Sequence, residues 1–70
     1  MLNDRSIRLL QYMVKRLPVG ITRTTPMPEG LQRSMQNLRA LQRIGLVYEE
    51  PKGFWFASNK GIEYIRVVKN

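Results

Sequence analysis

The chain has 70 residues, with twelve Lys and Arg against five Asp and Glu and with no Cys or His, so its formal net charge is +7. This length predicts one small domain over residues 1–70, and without Cys or His the chain has no disulfide bond and none of the usual zinc ligands. A surface of this charge attracts phosphate groups or an acidic protein, and no apolar run approaches the roughly 20 residues of a membrane span, so we expect a cytoplasmic protein.

The first predicted element is a helix that begins near Asn3 or Asp4, because their short side chains accept the free amides of a first turn. Apolar residues recur at steps of three or four, the spacing of one helix face. This face comprises Ile7, Leu10, Met13 or Val14, and Leu17. Pro18 and Gly20 then end the helix.

Residues 21–25 are rich in β-branched side chains, and Pro26 and Pro28 follow at once. Because the residue before a proline avoids helical angles, this segment predicts a short strand or one brief turn.

A second long helix is predicted over residues 29–44, since Pro28 and Glu29 suit a helix start. Its core face is expected to hold Leu31, Met35, Leu38 and Leu41. Gly45 is expected to end it in the left-handed conformation.

A hairpin is predicted over residues 46–57, with a turn at residues 50–53 that has Pro51 in second position. Alternation places Phe54 and Phe56 on one face of the return strand, where we expect core, and Trp55 on the other, more open face. A base-stacking platform is the alternative interpretation of these aromatic residues. A last helix follows, capped by Ser58 or Asn59, with Ile62, Ile65 and Val68 on its apolar face.

The order of these elements resembles the winged-helix family of DNA-binding domains. The resemblance lies mainly in residues 31–65. It is most specific in residues 38–47, where Leu38 and Leu41 precede Gly45 and the aliphatic pair Leu46-Val47, and it includes Ser58-Asn59-Lys60-Gly61 after the hairpin. It implies an α+β fold of three helices with a two- or three-stranded β-hairpin wing. The chain departs from the family before residue 29, where a usual member has a regular second helix. Here that region is short and contains Pro26 and Pro28, so the second helix is expected to be one turn or to be lost.

The resemblance implies that the helix over residues 29–44 lies in the major groove of DNA. Its polar face carries Arg and Gln, which match guanine and adenine edges and also bind phosphate. We expect Gln32, Arg33, Gln36 and Asn37 to reach bases, and Arg39 and Arg43 to bind phosphates. Arg23 and Thr24 before the helix, and Lys52 at the wing tip, are further candidate contacts to the DNA backbone.

Sequence-specific regulation of transcription is therefore the first hypothesis, and no enzyme activity is expected. The commonest general base and the best thiol nucleophile are missing, the five acids are scattered, and no phosphate-binding glycine loop or cofactor motif is present. A protein-interaction module and an RNA-binding domain that use the same basic face are the alternatives. A homodimer through the terminal helices is also predicted, with contacts from Leu9, Tyr12, Tyr64 and Val67.

Overall fold

The computed structural model describes residues 2–69, the side chain of Lys69 excepted. This part of the chain forms three helices and a two-stranded antiparallel hairpin. The elements are α1 (Asp4–Arg16), α2 (Met35–Arg43), β1 (Val47–Glu49), β2 (Trp55–Ala57) and α3 (Asn59–Lys69). The predicted α+β class is confirmed, and the arrangement is consistent with a winged-helix-like layout. No helix within residues 2–69 is both long and apolar enough to cross a membrane.

Helix α1 is the centre of the fold and packs against α2, α3 and β2. Asn3 caps it, as expected, by accepting the Ser6 amide at 2.9 Å. Because three elements cover α1, its buried arc is wider than one stripe, and Leu9 lies in the interior with 0% exposure. The prediction that Leu9 takes part in a dimer contact is therefore wrong, whereas Tyr12 is half-buried against the core.

The segment between α1 and α2 contains no helix. Ile21 forms a single antiparallel bridge with Trp55, with both backbone hydrogen bonds at 2.9 Å. The third strand of the wing is thus reduced to one residue. A turn follows at once, closed by the Thr25 amide on the Thr22 carbonyl at 3.3 Å.

Helix α2 begins at Met35, six residues later than predicted. A turn closed by the Leu31 amide on the Pro28 carbonyl at 3.0 Å takes the place of the expected first helical turn. The true N-cap is Ser34, whose hydroxyl accepts the Asn37 amide at 3.3 Å. The predicted core face is correct at Leu38 and Leu41, which are fully buried, but Met35 is 52% exposed and Leu31 precedes the helix.

The end of α2 is as predicted. Gly45 has a φ of +80°, the left-handed region that glycine enters without strain. The Leu46 amide reaches back to the Leu41 carbonyl and the Gly45 amide to the Gln42 carbonyl, at 3.0 and 2.9 Å. This pair of bonds is a Schellman motif, and it turns the chain directly into β1.

The hairpin turn lies one residue later than predicted. The Phe54 amide donates to the Pro51 carbonyl at 2.9 Å, so the turn spans residues 51–54. The Glu49 carboxylate accepts the Gly53 amide at 2.7 Å and thereby stabilises the later register.

The two faces of β2 are reversed relative to the prediction. Trp55 is 3% exposed and belongs to the core, whereas Phe54 is 46% exposed and Phe56 is half-buried. The predicted alternation of faces along β2 is correct, but the backbone pairing of Trp55 with Ile21 places Trp55 on the face that is turned to the core. Phe56 instead stacks on Tyr48 across the strands, with ring centroids 5.6 Å apart.

Helix α3 is capped by Ser58, one of the two predicted residues. The Ser58 hydroxyl accepts the Gly61 amide at 3.1 Å and donates to the Gly45 carbonyl at 2.6 Å. Ile65 is buried and Ile62 half-buried, but Val68, which was expected on the core face, is 44% exposed. Ser58 therefore joins the ends of α2 and the hairpin to α3.

Candidate nucleic-acid interface

The solvent face of α2 is a continuous stripe without a carboxylate. Leu38 and Leu41 hold the opposite face in the core. Helical spacing of 100° per residue then brings the exposed residues together over about 140° of the circumference. They are Met35, Gln36, Arg39, Ala40 and Arg43, and we call them the α2 stripe.

Arg39 is oriented by two contacts within the chain. Its guanidinium carbon lies 5.6 Å from the ring centroid of Trp55, a cation–π distance. One terminal nitrogen donates to the Gln42 side-chain oxygen at 3.2 Å. Arg39 nevertheless remains exposed, so its remaining donors face solvent in a defined direction.

A polar groove opens beside the N-terminal end of α2. It has a volume of about 550 Å³ and lies between the first turns of α1 and the residues that lead into α2. None of the described residues that line it is acidic. The lining residues are Asn3, Arg5, Arg8, Gly30, Leu31, Gln32, Ser34, Gln36 and Asn37.

The segment before α2 forms a compact loop around Arg33. The terminal nitrogens of this half-buried side chain donate to the backbone carbonyls of Thr25, at 2.5 Å, and of Arg23. Along the same turn, the Thr22 hydroxyl lies 3.2 Å from that of Thr24 and 3.1 Å from that of Thr25. Arg23 and Thr24 are exposed on its outer side.

The wing presents a mixed charge. Lys52 is exposed at the tip of the hairpin, between Pro51 and Gly53. Glu50 is exposed next to it, and Glu49 is half-buried with its carboxylate on the Gly53 amide.

Helices α2 and α3 differ in whether their arginines are paired with acids. In the described part of the chain, the one ion pair within 4 Å joins Glu63 and Arg66 at 3.3 Å, on α3. Within the same residues, neither Arg39 nor Arg43 has a carboxylate partner at that distance. The positive field of the α2 stripe is therefore not cancelled locally.

The structure brings the predicted site residues into three groups. Gln32, Gln36 and Asn37 line the groove; Arg23, Thr24 and Arg33 form the loop; Arg39 and Arg43 share the α2 stripe with Gln36. Lys52 stands apart on the wing. Gln32 and Arg33 were expected on the helix and lie before it instead, because α2 begins at Met35.

Sequence reasoning did not place Arg5 and Arg8 at the candidate site. Their spacing of three predicts one face of α1, but only the packing of α1 against α2 brings that face to the groove. Met35 was missed for a related reason, since a helix begun at residue 29 assigns it to the core.

The described residues contain no group of three or more His, Cys, Asp or Glu side chains that could hold a metal ion. Comparisons with protein-family models, with curated proteins and with solved structures found no match to this chain.

Proposed function

We propose that the protein binds double-stranded DNA in the winged-helix manner and acts as a small sequence-specific transcription regulator. The observation that carries this proposal is the α2 stripe, an exposed helix face with Arg39 and Arg43, no acid, and Gln36 at its N-terminal end. A helix that only faces solvent usually mixes both signs of charge. A stripe of Arg and Gln matches the phosphates and base edges of a major groove.

Each group of residues then has a distinct role in the proposed complex. Gln36 reaches base edges, where an amide pairs with adenine. Arg39 and Arg43 bind phosphates of the DNA backbone, and Arg5 and Arg8 bind the backbone that passes the polar groove. Lys52 contributes one further phosphate contact from the wing.

DNA is favoured over the two alternatives by the amide side chains among the cations. An acidic protein surface would need charge alone, whereas Gln32, Gln36 and Asn37 add donors and acceptors suited to base edges. Duplex RNA has a deep, narrow major groove that side chains do not read.

A homodimer would let two α2 helices bind successive half-sites of one duplex. With Leu9 in the interior, the apolar residues available on α3 are the exposed Val67 and Val68 and the half-buried Tyr64. Light scattering at high protein concentration tests this: twice the 8.2 kDa mass of the monomer supports the dimer, and 8.2 kDa contradicts it.

The test of DNA binding is fluorescence anisotropy with a labelled random-sequence duplex at several salt concentrations. Phosphate contacts release counterions, so the five proposed contacts, or six with Arg23, predict an affinity loss of roughly 10³-fold between 50 and 200 mM salt. A duplex RNA of the same length is titrated in parallel, and tighter binding to that RNA would overturn the choice of DNA.

Two single variants make this test specific to α2. Arg43→Gln and Arg66→Gln each remove one exposed positive charge, but Arg66 is already paired with Glu63. We expect Arg43→Gln to reduce the salt slope by about 1 and Arg66→Gln to leave it unchanged. Equal slopes for both variants, or no duplex binding by the wild type, would contradict the proposal. Site selection from a random duplex library then tests sequence specificity.

A further inference from the structure

The loop that precedes α2 lacks regular secondary structure, yet it is attached to the core at several points. Ile21 is fixed by its backbone bridge to Trp55. Five residues later, the Tyr12 hydroxyl donates to the Pro26 carbonyl at 3.3 Å. Between these two points lie Arg23 and Thr24, the exposed residues of the turn.

The intervening turn is held by its own threonine side chains, with the Thr25 hydroxyl accepting the Thr22 amide at 2.9 Å, and by Arg33, which attaches it to the start of α2. The two terminal nitrogens of Arg33 donate to two carbonyls of the turn, those of Arg23 and Thr25. Arg33 directly precedes Ser34, the N-cap of α2, so the guanidinium connects the start of α2 to the turn. A planar guanidinium can hold two acceptors at once in this way, whereas the ammonium group of lysine is a point charge.

We infer that Arg33 is a positioning residue, which holds the turn so that Arg23 and Thr24 stand ready to bind DNA phosphates beside the α2 stripe. This inference rests on the proposed function. A turn that is ordered before binding loses less conformational entropy on binding, which raises affinity without any new contact. Arg33 thus departs from the base-reading role predicted for it, because two of its five donors are used on the chain itself.

The test is a double-mutant cycle with a charge-conserving substitution. Arg33→Lys is measured in the wild-type background and in Arg23→Ala/Thr24→Ala, which lacks the side chains that Arg33 is inferred to position. Arg43→Lys is the matched control, since a phosphate contact tolerates the exchange of one cation for another. Anisotropy is recorded well below the melting temperature of each variant.

We expect Arg33→Lys to weaken duplex binding about fivefold in the wild-type background and less than about twofold in the double-alanine background, because coupled residues are not additive. Arg43→Lys should change affinity less than about twofold in both. Full affinity of the Arg33→Lys variant would show that charge alone matters, and equal losses in both backgrounds would show that Arg33 acts independently of the turn. Either result overturns the inference.

A second measurement needs no DNA. Backbone ¹⁵N order parameters at Arg23 and Thr24 should be about 0.8 in the free wild-type protein and fall towards about 0.6 in Arg33→Lys. Values below about 0.6 in the wild type would contradict a fixed turn even if DNA is bound. High values in a protein that does not bind duplex DNA would instead refute the proposed function, which separates the two failures.

Discussion

Helices α2 and α3 both pack against α1, and both carry two cations on their described exposed surface, yet the environments of these cations differ. On α3, Arg66 is paired with Glu63 at 3.3 Å. On α2, Arg39 and Arg43 share a face with no acid. The number of exposed cations therefore does not distinguish the two helices. The binding surface that we propose is the one on which both arginines share a face without an acid.

The two helices also reach the core by different means. Helix α2 docks through the side chains of Leu38 and Leu41, which are fully buried. Helix α3 approaches so closely that its backbone at Gly61 lies against the Leu46 carbonyl. We therefore regard α3 as a structural support and α2 as the functional surface, and the following predictions test that division.

The largest expected effect is the loss of stability caused by a substitution in α3. A Cβ added at Gly61 would overlap the Leu46 carbonyl oxygen, so Gly61→Ala must push α3 away from the hairpin. We expect a loss of about 3 kcal/mol of unfolding free energy, measured by urea denaturation. Helix propensity alone predicts a gain of about 1 kcal/mol, so a stabilised variant would contradict the close approach.

Charge reversal on the two helices tests the functional half of the comparison. Arg39→Glu/Arg43→Glu and Lys60→Glu/Arg66→Glu change the net charge equally. We expect the α2 pair to weaken duplex binding about 100-fold, or about 2.7 kcal/mol, and the α3 pair less than about fivefold. Anisotropy at one fixed salt concentration measures both.

Similar losses of duplex affinity for the two double variants would mean that the protein binds DNA through its net charge and not through the α2 stripe. A melting curve for each variant is the control, because Arg39 also lies over Trp55 and its loss can lower stability.

Substitutions at the junction after α2 are expected to lower the stability of the fold more than they lower DNA affinity. Gly45 has a φ of +80°, which a β-branched residue adopts only at a cost of about 1–2 kcal/mol. In a domain with a stability of about 5 kcal/mol, Gly45→Val should lower the melting temperature by several degrees. Gly45→Asn should be milder, because asparagine tolerates this region. An unchanged melting temperature for Gly45→Val would refute the Schellman end of α2.

The smallest expected effect concerns Met35, a residue that is 52% exposed beside Gln36 at the start of α2. An apolar side chain in the major groove can contact the methyl group of thymine. At a selected site, replacing the contacted thymine by uracil should weaken binding about fourfold, or about 0.8 kcal/mol for one methyl group. Met35→Gln should remove this difference. A uracil effect that persists in Met35→Gln would assign the methyl contact to another residue.

The features that the sequence predicted correctly are those set by neighbouring residues. Asn3 and Ser58 act as caps through residues three positions away, and Gly45 ends α2 through bonds to the preceding turn. Such bonds need no knowledge of the rest of the fold. Leu38 and Leu41 were found for the same reason, since helical spacing defines their face.

The errors concern features that depend on distant contacts. Pro28 and Glu29 suit a helix start, but Arg33 donates to carbonyls of the preceding loop eight and ten residues away, and α2 begins only after it. Alternation in β2 defines two faces, yet only the bridge to Ile21 fixes which one is inside. In the candidate site, the same limit explains why Arg5 and Arg8 were not placed beside α2.

The central claim is that α2, and not α3, faces the nucleic acid, and an NMR titration of ¹⁵N-labelled protein with a short DNA duplex tests it most directly. We expect the amides of residues 35–43 and of the turn at residues 22–25 to shift or broaden first, while those of residues 62–68 stay near their free positions. Perturbation concentrated on α3, or spread evenly over both helices, would contradict the account.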